Sequence, residues 1–259
     1  MNFSAVLKKA MSLCFAIQPV PPAKNGEGVD RNMSSISVPV LKTESIDKYY
    51  LLGKDRIPVL KNISFTIEHG EYVSIMGQSG AGKSTLLNIL ACLDTPTSGN
   101  YFFRGSNIAS LGENRLADIR NRDIGFVFQN FNLLPKLSVY ANVELPLIYN
   151  STPRKERQRR VREILERFGL WERHRHKPNE ISGGQKQRVA IARALVKRPS
   201  VIFADEPTGN LDSHTTSEIL SVFDALSREG NTIIIITHES DVARHASRSL
   251  HLVDGMLST

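Results

Sequence analysis

The stretch Gly77-Gln-Ser-Gly-Ala-Gly-Lys-Ser-Thr85 constrains this chain more than any other segment. It fits the spacing G-x-x-x-x-G-K-[ST], and it stands where that spacing has physical meaning. Residues 71–76 before it alternate and are bounded by Gly70 and Gly77, which predicts a strand. Residues 85–93 after it carry Leu86, Leu87, Ile89, Leu90 and Leu93 at helical spacing. Gly77, Gly80 and Gly82, with Gln78, Ser79 and Ala81 between them, let the backbone curl until successive N–H groups face inward. Such a curl, followed by the positive end of a helix, cradles phosphate oxygens. Lys83 supplies a mobile point charge for the β- and γ-phosphates of a nucleotide, and the Ser84 hydroxyl suits a Mg2+ ligand. Thr85 completes the motif.

A loop of this kind needs a sheet to hold it. Residues 201–204 and 232–236 are short, continuously apolar runs, the composition of strands buried on both faces of a parallel sheet. Residues 116–122, 155–168, 184–196 and 213–228 read as helices. Strands alternating with helices predict an α/β fold with a mixed, mostly parallel sheet and helices on both sides. Two helices between about 142 and 196 follow one another with no strand signal, so they read as a helical subdomain inserted in the α/β core. At 259 residues and 41% hydrophobic content, the chain holds one large domain with a subdomain, and too little for several independent domains.

The run Val201-Ile-Phe-Ala-Asp-Glu206 ends a buried strand in two carboxylates, at the sheet edge where ligands bind in such folds. Asp205 can hold Mg2+, and Glu206 can polarise an attacking water as general base. A further segment, Ile181-Ser-Gly-Gly-Gln185, opens the helix Lys186-Gln-Arg-Val-Ala-Ile-Ala-Arg-Ala-Leu195. Ser182, Gly183, Gly184 and Gln185 therefore form a second helix N-terminus with exposed N–H groups, a second phosphate-binding end in one chain. One nucleotide has one γ-phosphate, so two such ends make sense if they face different nucleotides.

These motifs, in this order, resemble those of ABC ATPases, the P-loop NTPases whose signature motif matches Ile181 to Gln185, with Ile181 where Leu is commoner. The resemblance covers about residues 38–256. It implies ATP and Mg2+ as ligands, and a head-to-tail dimer in which Ser182, Gly183, Gly184 and Gln185 of one copy cap the ATP held by the phosphate loop of a second copy. It implies that Gln129, in Gly125-Phe-Val-Phe-Gln-Asn130, senses Mg2+ and the attacking water, and that His238, in Ile236-Thr-His-Glu239, contacts the γ-phosphate. Catalysis then rests on Glu206, His238 and Gln129, and metal binding on Ser84, Gln129 and Asp205. Asp212, in Thr208-Gly-Asn-Leu-Asp212, resembles the aspartate that links the two sites of the dimer. Tyr50 is the candidate for stacking on adenine, with Tyr49 as the alternative; the family's Lys-x-Tyr spacing favours Tyr50.

The sequences around Asn88 to Gly99, Phe128 to Pro135 and Asn210 to Ser213 are similar to the branch that includes macrolide-export, lipoprotein-release and cell-division ATPases, with Ala91 where Gly is usual. The resemblance implies a separate polytopic membrane permease, docking on the apolar residues Phe131, Leu133, Leu134 and Pro135, and a role in export or lipoprotein release. It also leaves open a regulator of a membrane cell-wall or division complex that carries no substrate, and a non-transport ATPase acting on ribosome or nucleic acid. The interval from Thr85 to Ile181 is too short for the long coiled coil of members acting on DNA breaks, and ribosome-acting members usually carry two such domains.

Composition sets the remaining expectations. The net charge of +7 chooses among no partners by itself. The basic run from Arg154 to Lys177 is interrupted by Glu156, Glu163, Glu166 and Glu172, so it reads as a solvated helix face with pairs such as Glu163 with Arg167, and no specific nucleic acid is expected. His174 and His176 lack a third ligand and read as surface residues. Cys14 and Cys92 fit no disulfide or zinc pattern, which points to a reduced setting. No run approaches the roughly 20 apolar residues that span a bilayer. The expected location is cytoplasmic, peripheral on the inner face of the plasma membrane. Residues 1–37 read as an extension, disordered or amphipathic rather than a signal peptide, with a linker from about Pro19 to Ser35; residues 38–259 form the ATP-binding domain, its helical subdomain at about 130–196.

Overall fold

The computed structural model describes residues 38–53 and 55–258, so the expectations for residues 1–37 lie outside it. The phosphate loop is carried by a six-stranded sheet in the order β10-β9-β3-β8-β7-β6. Its strands are β3 (Tyr72–Met76), β6 (Ile124–Phe128), β7 (Val201–Asp205), β8 (Ile233–Thr237), β9 (Arg248–Val253) and β10 (Met256–Ser258). β9, β3, β8, β7 and β6 run parallel, and only β10 pairs antiparallel, with β9. The central strands β7 and β8 divide their side chains between two cores, as the two-residue period of a strand requires. Phe203, Ile234 and Ile236 enter a core with Leu86 and Leu90, whereas Ile202, Ala204, Ile233 and Ile235 enter another with Val189, Ile191 and Phe223. Apolar side chains on both faces explain the unbroken apolar runs.

A second sheet of four strands is wholly antiparallel, in the order β2-β1-β4-β5, with β1 Leu41–Leu52, β2 Asp55–Ile67, β4 Ser98–Phe103 and β5 Ser106–Asn107. The sequence reading did not foresee it. Between them the two sheets hold α1 (Lys83–Leu90), whose Leu86, Ile89 and Leu90 share a core with Leu41, Ile63 and Ile75. α2 (Glu113–Asp123) leads into β6.

From β6 to β7 the chain is helical: α3 (Val139–Tyr149), α4 (Arg154–Arg167), two short 3-10 turns, and α5 (Gly183–Leu195). α3 escaped the sequence reading because Pro146 lies inside it, a residue that normally argues against a helix interior. α4 turns Val161 and Leu165 inward and leaves its charges in water. Within the helix Arg159 pairs with Glu156 and Glu163, Arg160 with Glu156, and Arg162 with Glu166, while Arg157 pairs with Glu144 of α3. The expected Glu163–Arg167 pair is not made, because Arg167 reaches Glu229 at the end of α6 (Ser213–Arg228) instead. The short α7 (Ser240–Ala243) follows β8. Among the described residues no helix is long and apolar enough to cross a membrane.

Candidate functional site

Parallel strands end on one edge, so the segments that follow them meet there. The phosphate loop follows β3, Gln129 follows β6, Glu206 follows β7 and His238 follows β8. These segments surround a cleft of about 670 Å³ lined by Gly77, Gln78, Ser79, Lys83, Gln129, Glu206 and His238. His251, Leu252 and Val253 of β9 complete the wall; no motif announced them. Their place comes from strand register, since His251 pairs with Met76 across the β3–β9 ladder.

The loop is fitted closely to its surroundings. Gly82 caps α1 with φ 100°, and a Cβ there would lie 3.0 Å from the Val59 carbonyl. The Lys83 ammonium donates to the Gly77 carbonyl at 2.7 Å and to the Gln78 carbonyl at 3.0 Å, which folds it over the loop. Ser84 is exposed, in the first turn of α1.

Glu206 sits at φ 43°, in the left-handed region that a residue with a Cβ seldom adopts. Such strain persists where surrounding contacts over-determine it. Here the carboxylate accepts from Thr237 Oγ1 at 3.1 Å, from the His238 backbone N–H at 3.1 Å and from His238 Nδ1 at 2.7 Å. An ionised carboxylate only accepts, so Nδ1 carries the proton of this bond and Nε2 faces away from Glu206. The Glu206 side chain is 14% exposed and that of His238 61%, so the pair reaches from the protein into open water. Asp205, one residue earlier, has its pKa raised by burial and then by the neighbouring Glu206 charge, with Lys83 opposing.

The other predicted residues lie apart from this cleft. Ser182 caps α5 in a capping box: its hydroxyl accepts from the Gln185 N–H, and the Gln185 side chain accepts from the Ser182 N–H. Gly184 packs against α6, where a Cβ would meet Thr215 Cγ2 at 2.6 Å. Neither Ser182, Gly183, Gly184 nor Gln185 lines the cleft of its own chain. Asp212 caps α6, accepting from the Thr215 N–H and hydroxyl, and these bonds hold its pKa below the usual carboxylate range. Asn210, not singled out from sequence, donates to the Gln129 carbonyl at 3.1 Å and to Asn130 Oδ1 at 2.8 Å. Tyr50, near the turn end of the β1–β2 hairpin, is outside the cleft wall. Its hydroxyl donates to Asp94 at 3.0 Å, and the Lys48 ammonium lies 5.1 Å from its ring centre. Tyr49 is covered instead by the Arg56 guanidinium.

Known proteins of similar sequence and structure identify the family. The model of the ABC transporter family matches residues 60–209. The ABC transporter ATP-binding protein YvrO of Bacillus subtilis is 54% identical over 218 residues, covering 84% of this chain and 95% of that protein. The macrolide export ATP-binding/permease protein MacB of Sodalis glossinidius is 45% identical over 222 residues, covering 86% of this chain but only 34% of MacB. The solved dimer of the ATP-binding cassette MJ0796 with ADP and Pi superposes with a TM-score of 0.76 at 44% identity, covering 85% of this chain and 97% of that one. With the phosphate loop, the paired Glu206 and His238 and the capped α5 each in place, the chain belongs to the ABC transporter family, as an ATP-binding and ATP-hydrolysing subunit.

Proposed function

We propose that two copies bind ATP head to tail and that hydrolysis at Glu206 drives a separate membrane permease. The observation that carries this reading is the Glu206 carboxylate, fixed by three hydrogen bonds at the wall of the phosphate-loop cleft. A base so held is oriented before substrate arrives. The N–H groups from Gly77 to Thr85 and the Lys83 ammonium hold the phosphates. Glu206 takes a proton from water as the water oxygen attacks the γ-phosphorus and the bond to the β–γ bridging oxygen breaks. His238, through Nε2, and Gln129 stabilise the transferring group.

Ser84, Gln129 and Asp205 offer a hydroxyl, an amide oxygen and a carboxylate, the hard oxygen donors that suit Mg2+. Mg2+ held by these residues would supply positive charge beside the β- and γ-phosphates. Tyr50 stacks on adenine.

The position of Ser182, Gly183, Gly184 and Gln185 outside their own chain's cleft supports their capping the partner's ATP, with Asp212 linking the two sites. MJ0796 is a dimeric ABC transporter cassette, and MacB is an ATP-binding and permease protein in one chain, which supports a dimer and a permease partner. The permease here docks near Phe131, Leu133, Leu134 and Pro135, of which Leu134 is 44% exposed. On this reading the chain works on the cytoplasmic face of the membrane, serving export or lipoprotein release.

The test is Glu206→Gln in the full-length chain. The amide keeps an acceptor for His238, so ATP binding stays within threefold while turnover falls by about 10²–10⁴, the usual yield of a general base. Turnover near the native rate would remove Glu206 from the mechanism. The same variant, pulled from solubilised membranes with ATP, should bring a polytopic membrane protein with it; ribosomes or nucleic acid alone would sink the transport reading.

A further inference from the structure

The loop after β6 has a backbone that needs explaining. Phe131 and Asn132, neither of them glycine, stand next to each other in the left-handed region at φ 59° and 46°. L-residues adopt that conformation singly and reluctantly. Both carbonyls are taken by one side chain on another element: Arg193 of α5 donates from Nη1 to the Asn132 carbonyl at 2.6 Å and from Nη2 to the Phe131 carbonyl at 2.9 Å.

Arg193 is half-buried, and among the described residues no carboxylate comes within ion-pair distance of it. Burial pulls its guanidinium below the usual arginine range. A cation drawn from water without a counter-charge is tolerable only where dipoles are aimed at it. Two adjacent left-handed carbonyls are such dipoles, and a planar fork is the side chain that can take both at once. The strain in the loop and the charge on the helix offset each other.

The rest of the loop is fixed from two further elements. Asn210 holds the Gln129 carbonyl and the Asn130 side chain. Asn142 of α3, 1% exposed, accepts from the Leu134 N–H and donates to the Leu134, Leu137 and Ser138 carbonyls. Between these two clamps the only side chain on the backbone of residues 131 and 132 is Arg193, among the bonds of the described residues.

We propose that Arg193 is a positioning residue for hydrolysis: by holding the Phe131 and Asn132 carbonyls it sets the loop that brings Gln129 into the cleft, and ties that loop to the helix headed by Ser182. The inference rests on the role proposed for Gln129. It gives the helix that meets the partner's nucleotide a direct grip on the segment that senses a chain's own nucleotide.

Arg193→Lys keeps the charge but replaces a planar fork, whose two nitrogens reach the two carbonyls separately, by a single nitrogen on a shorter side chain. In the full-length chain its kcat falls about tenfold with the KM for ATP within twofold, since a small misplacement of a reacting-site group costs rate before binding. Amide exchange of residues 130–134 rises at least tenfold while that of α5 does not change, which separates a loop effect from a loosened helix. In the Gln129→Ala background Arg193→Lys lowers kcat by less than twofold, because both act through the same side chain. Losses that multiply, or exchange that rises in α5 and not in the loop, would overturn the inference. If Gln129→Ala alone turns over at the native rate, the reading of Gln129 falls and the inference with it.

Discussion

Replacing Gly77 by alanine tests whether the phosphate loop is seated as tightly as its geometry implies. Gly77 needs no special backbone angle, since its φ is not in the left-handed region. What it lacks room for is a Cβ. A Cβ at residue 77 would lie 2.5 Å from the Leu252 carbonyl oxygen and 3.3 Å from Ala81 Cβ. An ordinary carbon–oxygen contact is about 3.4 Å, so the loop and β9 must part by about 0.9 Å. Neither can yield cheaply. Leu252 lies in β9, which is laddered to β3 on one side and β10 on the other. Overpacking of this kind costs about 1–3 kcal/mol. For a domain of this size that lowers Tm by about 2–12 °C. The larger effect is on binding, because the N–H groups that cradle phosphate move by the same distance, and a displacement near 1 Å can cost about 10²-fold. Titration with a fluorescent ATP analogue, beside a thermal melt, measures both. Gly112→Ala is the control: Gly112 precedes α2 with φ −73° and nothing within 4 Å of its Cβ. ATP affinity within threefold of native for Gly77→Ala, with an unchanged melt, would refute the reasoning.

Two further predictions rest on groups at some distance from the cleft. Asp94 accepts from Tyr50 and from Lys48 at 2.7 Å, contacts that orient the tyrosine ring, so Asp94→Ala should raise the KM for ATP with kcat unchanged and add nothing in a Tyr50→Ala background; additive effects would show that Asp94 acts elsewhere. Lys197 donates to the Arg120 carbonyl, and burial pushes its pKa down to about 8. The unfolded chain holds more protons between pH 8 and the ordinary lysine range near pH 10.4, so stability rises with pH there: the burial cost is fully present below about pH 8 and is lost above it. Urea unfolding at pH 7.5 and pH 10 should show the native chain gaining on Lys197→Met as pH rises, and a gap that does not change would exclude a buried charge.

How much of this was legible in the sequence follows from where each residue gets its role. The phosphate loop, β7, β8 and α6 were legible because local chemistry decides them: glycines where the backbone curls, apolar runs where both faces are buried, and helical spacing that puts Ile219, Leu220, Phe223 and Leu226 on one side. The start of α5 at Ser182 was legible for the same reason, but the capping box there was not read, and it takes up the Gln185 N–H that the sequence reading left exposed. The antiparallel sheet was not. β1 is half-exposed and breaks its register between Thr43 and Ile46, between Ile46 and Lys48, and between Lys48 and Tyr49, so its apolar positions follow no clean alternation. The wall residues His251 and Val253 were hidden because only the β3–β9 ladder brings them to the loop.

Arg193 was hidden for a deeper reason. Helical periodicity sorts residues into those that face the core and those that face water, and assigns an arginine to water. Arg193 faces neither: it fills the seam between α5 and the loop after β6, where the Phe131 and Asn132 carbonyls replace solvent. A charge in such a seam marks a place where two elements must keep their relative position, and pattern alone cannot distinguish it from the solvated arginines of α4. The positions that couple one motif to another are therefore those that a motif-by-motif reading passes over. If the reasoning holds, substitutions that alter coupling in this chain will concentrate in side chains such as Arg193, Asn142 and Asn210, which bond backbone carbonyls of a different element, and not in the motifs those side chains connect.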